Sequence, residues 1–111
     1  MDIVIPYKHK YGQQVKKFLD FSLSKIQLFE TYEKIETYQK FTALELIRTN
    51  KIEKISEDLY ELKVPIAQIK LRFFGILQGN KLTLIHVFKK KSQKIPKREL
   101  QTVKNKAFLF K

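Results

Sequence analysis

Residues 86–98 read HVFKKKSQKIPKR: five lysines and one arginine follow a histidine, with no acid among them. Upstream, Lys63, Lys70 and Arg72 stand at alternating positions of two strand-like runs. Side chains of these types bind phosphate. Arg offers a planar fork that matches phosphate oxygens, and Lys offers a mobile point charge. The same set can do chemistry on RNA, whose 2′-hydroxyl is an internal nucleophile beside the scissile phosphate. Cleavage needs that hydroxyl deprotonated, the extra charge of the phosphorane stabilised and the leaving 5′-oxygen protonated. Basic side chains can fill all three roles without a metal. A lysine among other cations loses its proton more readily, because like charge disfavours the charged form. A phosphate-binding face with no chemistry is the simpler reading of the residues taken alone.

Other chemistries find little support. The chain has no cysteine, and its two histidines, His9 and His86, are not at metal-ligand spacing. No P-loop, GxGxxG or GxSxG motif is present. No metal and no other cofactor is expected. His86 titrates near neutrality and suits an acid or a base. By strict alternation, however, it shares a face with Leu82, Leu84 and Phe88, the expected core face rather than the face of Arg72. A packed and a functional histidine both remain open. His9 reads as a surface residue. Glu61 falls on the Lys63 face and reads as orienting a cation.

The charge is uneven. Of the net +12, residues 1–62 contribute nothing, with ten Lys/Arg and ten Asp/Glu. Residues 63–111 hold thirteen Lys/Arg and one acid, Glu99. A field so one-sided costs self-repulsion and attracts polyanions, nucleic acid first among them. The 111 residues suit one domain, 1–111. No apolar run approaches a membrane span and no signal-peptide pattern opens the chain.

The elements that must position these residues follow from periodicity. DIVIPYK (residues 2–8) reads as a strand ended or placed at an edge by Pro6. KYGQQVKKFLDF reads as a helix with Val15, Phe18 and Leu19 on one side. Residues 24–47 read as one helical region in which Ile26, Phe29, Tyr32, Ile35 and Tyr38 recur at helical spacing as core. DLYELKV (58–64), AQIKLRFFGIL (67–77) and KLTLIHVF (81–88) alternate as strands, with a tight turn at Gly79-Asn80. Pro96 suits the first turn of a closing helix lined by Leu100, Val103 and Ala107. The order β-α-α-β-β-β-α is an α+β pattern.

DLYELKV at 58–64, IKLRFF at 69–74 and LTLIHVFKKKSQKIPKREL at 82–100 resemble the phage-derived Gp49-like, HigB-type toxins of the RelE/ParE superfamily. GQQVKKFLDF is similar to the family's first helix. Lys63 stands where the family has Arg, and Val87 where it has Gly. The resemblance implies a RelE-like fold, a twisted antiparallel sheet packed against helices. It implies a bacterial cytoplasmic toxin that cuts ribosome-bound mRNA without metal. Arg72 would hold the scissile phosphate, Lys91, Lys94 and His86 would join it in catalysis, and Lys63, Lys70, Lys89, Lys90 and Lys97 would position RNA. A helix-turn-helix, HigA-like antitoxin would be the partner in a hetero-oligomer. A ParE-like gyrase inhibitor and a non-catalytic, prophage-derived binding protein are the alternatives.

Overall fold

The computed structural model describes residues 1–91 and 94–110. Strand β1 (Asp2–Val4) leads into helices α1 (Lys10–Ser22), α2 (Lys25–Tyr38) and α3 (Ala43–Arg48). Strands β2 (Ile52–Ser56), β3 (Leu59–Ile66), β4 (Ile69–Gln78) and β5 (Lys81–Lys90) follow, then helix α4 (Lys97–Phe110). The five strands form one sheet in the order β1-β5-β4-β3-β2. The α+β class and the helices-then-strands order expected from the sequence hold. The sheet is mixed rather than wholly antiparallel, because β1 runs parallel to β5 with Ile3 opposite Leu82. The N-terminal amino group fixes that end by donating to the carbonyls of Gln39 and Phe41.

The helical region 24–47 divides in two. Ser24 and Gln27 form a capping box at the start of α2, and Thr42 and Glu45 form another at the start of α3. Thr42 has extended backbone angles, so the second box restarts the helix without any Gly or Pro between. Strand β2, absent from the expected order, pairs antiparallel with β3. At the β4–β5 turn Gly79 takes φ +62, and the Asn80 side chain accepts from the Ala43 amide.

The sheet is covered on both faces. On one, Val15, Leu19, Ile35, Tyr38 and Leu46 of α1, α2 and α3 pack on Leu62, Val64, Leu71, Phe73, Leu82 and Leu84. On the other, Val103 and Ala107 of α4 pack on Leu59, Phe74, Ile76 and Ile85. The expected core role of Ile26, Phe29 and Tyr32 is not what the fold shows: they are 71%, 66% and 40% exposed. The stripe of α2 turned to the sheet is Leu28, Thr31, Ile35 and Tyr38. Thr31 interrupts its apolar pattern, and its hydroxyl is satisfied by the Gln27 carbonyl at 2.8 Å. The 26-29-32 run therefore lies on the neighbouring face.

A register shift in β4–β5 decides what the α4 face carries. Phe74 pairs with His86 and Gly75 with Leu84, so Ile85 is an extra residue on β5. Leu82 and Leu84 point to the three-helix face, whereas His86 and Phe88, past the bulge, join Arg72 on the α4 face. Strict alternation placed His86 with Leu84 and away from Arg72; the bulge reverses that.

Helix α1 packs closely on the segment joining it to β1 at Gly12, where a Cβ would strike the Pro6 carbonyl. Backbone on one side and a helix on the other leave nothing to yield cheaply. Gly12→Ala should destabilise the fold by about 1–3 kcal/mol. Urea titration should show a lower midpoint with an unchanged m-value.

Candidate nucleic-acid interface

Residues directly opposite in an antiparallel ladder share a face. The register therefore sets side chains in cross-strand rows on the α4 face. The outermost is Pro65, Lys70 and Lys90 across β3, β4 and β5. The next is Lys63, Arg72 and Phe88. Behind it come Glu53, Glu61, Phe74 and His86 across β2 to β5. Cations hold the front rows and carboxylates the rear one.

Diagonal pairs tie the rows together. Lys63 Nζ lies 3.2 Å from Glu53 Oε2, and Arg72 Nε lies 3.4 Å from Glu61 Oε2. Arg72 is 8% exposed and Glu61 2%. Neither Nε nor Oε2 has a hydrogen bond, so this pair is Coulombic without hydrogen-bond geometry. Arg72 Nη1 also donates to the Leu71 carbonyl at 3.2 Å. Burial pushes the Glu61 carboxyl above its ordinary range, while Arg72, then Lys90 and Lys63, pull it back. The Lys63 carbonyl accepts from the Tyr38 hydroxyl at 2.9 Å, which fixes β3 against α2.

At the open end of the sheet a groove is lined by Pro65, Ile66, Gln68, Ile69, Lys70, Arg72, Lys89, Lys90 and Lys91. It brings together five of the residues singled out in the sequence: Lys70, Arg72, Lys89, Lys90 and Lys91. Lys89 reaches it from the other sheet face, being opposite Leu71. Lys63 stands beside Arg72 but does not line the groove. Lys94 precedes α4 and Lys97 begins it, both exposed. Ser92 and Gln93, within the expected basic loop, lie outside the described residues. Beyond Pro65 and Ile66 the surface is mixed in charge, with Glu30, Glu33, Lys34 and Glu36 of α2 and Lys40 just after it.

His86 is built into the sheet–helix junction. Its Nε2 is 2.7 Å from Glu99 Oε1 and its Nδ1 is 2.9 Å from Lys106 Nζ. Lys106 also donates to Gln14 of α1 and lies 5.2 Å over the Tyr11 ring. An ammonium donating to Nδ1 and an Nε2–H donating to Glu99 describe the neutral imidazole. Burial lowers the His86 pKa, Glu99 opposes that, and Lys106 adds to it. Phe74 and Phe88 stack beside the ring, centroids 5.8 Å apart. Glu99 and Lys106 are partners of His86 that sequence reasoning did not single out. Their signal was a spacing of seven residues, two turns along one helix face, in a segment with a single acid.

Among the described residues no group of three His, Cys, Asp or Glu side chains is placed to hold a metal. None of their helices is long and apolar enough to cross a membrane.

A family model, the phage-derived protein Gp49-like (DUF891), matches residues 12–107. The match spans the first helix, the sheet rows and most of α4. The chain belongs to this family, which is a RelE/HigB-like toxin family. A comparison with curated proteins finds no match.

The His86 cluster has a pH signature. A histidine held below its ordinary 6.5 favours the folded state fully above that value, and the contribution is lost as pH falls through the lowered folded pKa. Glu61 works in the opposite sense, its raised pKa making ionisation costly as pH rises from 4.5. The difference between variant and parent isolates the histidine. Stability of His86→Gln, followed by urea unfolding from pH 7 to about 5, should decline less than that of the parent. A parallel decline in both would remove His86 as the source.

Proposed function

We propose that this Gp49-like protein is the toxin of a type II toxin–antitoxin pair, and that it cleaves translated mRNA at the ribosome by attack of the 2′-hydroxyl on the scissile phosphate. The observation that carries this reading is the groove itself. Lys70 and Lys90 stand directly opposite across β4 and β5, with Arg72 in the next row. Like charges in that position destabilise the free sheet, and a phosphate between them removes the cost.

In this reading Arg72 stabilises the charge that develops on the phosphorane, because its guanidinium is buried and already aimed by Glu61 and the Leu71 carbonyl. Lys70, Lys89 and Lys90 hold the flanking phosphate oxygens. Lys91 and Lys94 move the protons, one taking that of the 2′-hydroxyl and the other protonating the 5′-oxygen. Lys63 and Lys97 extend the track. His86, with both ring nitrogens engaged, keeps α4 and the basic segment in place. The chemistry needs no cofactor, and the ribosomal target places the toxin in the bacterial cytoplasm. A helix-turn-helix, HigA-like antitoxin neutralises it by denying RNA the groove.

Expression without antitoxin should arrest growth and leave new 5′ ends on translated messages, mapped by primer extension. Arg72→Ala should lower cleavage on the order of 10²–10³-fold, and Arg72→Lys should recover only part of it, since the fork is gone. Unchanged ends in a folded Arg72→Ala variant would sink the mechanism. DNA damage with intact message would move the reading to gyrase inhibition. Replacing Lys70 and Lys90 by Gln should weaken binding to an uncleavable RNA, with a salt slope shallower by about 0.7 for each phosphate no longer neutralised.

A further inference from the structure

We infer that Glu61 is a proton-linked counter-ion of Arg72: an ionised carboxylate that holds the guanidinium in the free protein and takes up one proton when an RNA phosphodiester enters the groove. The inference rests on the reading of the groove as an RNA site. Glu61 is then a positioning residue for Arg72, not a group that touches the reacting atoms.

The geometry leaves the carboxylate poised. Glu61 is 2% exposed, so water does little to support its charge. The charged groups around it are Glu53 from β2, Lys63 on its own strand, Arg72 from β4 and Lys90 from β5. Lys63 already pairs with Glu53. On α4, Glu99 and Lys106 are taken by His86, and Phe74 stands between Glu61 and His86 in their cross-strand row. Arg72 is therefore the cation that Glu61 depends on, and the contact is a 3.4 Å ion pair with no hydrogen bond on Oε2.

A phosphodiester stays anionic throughout the working pH range and must share that one guanidinium. Two anions on one buried cation disfavour the weaker acid's charged form. The carboxylate can shed its charge by taking a proton from solvent, Glu61–COO⁻ plus H⁺ giving Glu61–COOH, while the phosphate cannot. No other bond changes. The free protein gains an internal anion that keeps Arg72 in place, and the bound state is relieved of a repulsion.

The test uses a 2′-O-methyl RNA oligonucleotide, which binds but cannot be cut, titrated calorimetrically into the full-length protein in buffers of different ionisation enthalpy. Binding should take up as much as one proton, and affinity should tighten as pH falls from 7 to about 5, by up to tenfold per unit. Glu61→Gln should bind at neutral pH at least as tightly as the parent and lose that proton uptake. Undiminished uptake in Glu61→Gln overturns the inference, as does a folded Glu61→Gln that binds tenfold more weakly, which marks a merely structural role. Should the Gln variant not fold, the buffer series on His86→Gln decides: uptake kept supports Glu61, and uptake abolished assigns the proton to the histidine. Binding without proton uptake overturns only this inference. RNA that does not bind at all overturns the groove reading with it.

Discussion

Strand β5 carries one residue more than β4 between the pairs Phe74–His86 and Gly75–Leu84, and the position of every functional side chain beyond that point follows from it. Below the bulge the strand gives Leu82 and Leu84 to the three-helix face. Above it, His86, Phe88 and Lys90 share the α4 face with Arg72 and Lys70. Had alternation run unbroken, Lys89 would share the face of Lys70 and Arg72, and His86 would be buried among leucines. Bulges re-aim side chains in this way near strand ends. Here one re-aims an entire half-strand and so joins a basic groove to the helix that closes the fold.

The rows on that face show how a sheet carries excess positive charge. The inner carboxylates Glu53 and Glu61 neutralise Lys63 and Arg72 diagonally, away from the groove. The outer lysines are set opposite one another at the rim, where water still reaches them. A buried ion pair stabilises little, because desolvation offsets its attraction. Its value is that it fixes where the guanidinium points. Stability then comes from the two apolar faces, with Phe73 and Phe74 fully buried on opposite sides of one strand. The cationic row can remain strained because so little of the fold depends on it.

Much of this was legible in the sequence. Alternation in DLYELKV and IKLRFF placed Leu62, Val64 and Leu71 on one face and Glu61, Lys63 and Arg72 on the other, as the ladder has them. Charge counting located the basic half. What escaped has physical reasons. A bulge adds one residue and shifts the phase: in Leu82-Thr83-Leu84-Ile85-His86-Val87 the apolar positions step from 82 and 84 to 85 and 87, and counting in twos from Leu82 carries straight past that step. Thr31 hid the true stripe of α2, because a polar residue satisfied by its own helix can be buried without looking apolar. The parallel pairing of β1 with β5 depends on contacts between residues about eighty positions apart, which local patterns do not encode. The capping box of Thr42 with Glu45 was readable and would have divided the helical region.

The basic segment is tethered at both ends, and this explains a histidine that is near the groove yet occupied. A run of cations repels itself and, left as a tail, would spread its charge through solvent. Here β5 ends at Lys90 and α4 starts at Lys97, so few residues lie between two anchored elements. Helix α4 is anchored by Val103 and Ala107 in the apolar cluster and by Glu99 and Lys106 on His86. Both ends of that polar bridge fall on one helix face, and its centre lies on the strand that delivers Lys90. Losing the imidazole would therefore loosen the far end of the segment while leaving the near end in the sheet. The groove's cations owe their concentration to that anchorage as much as to their number.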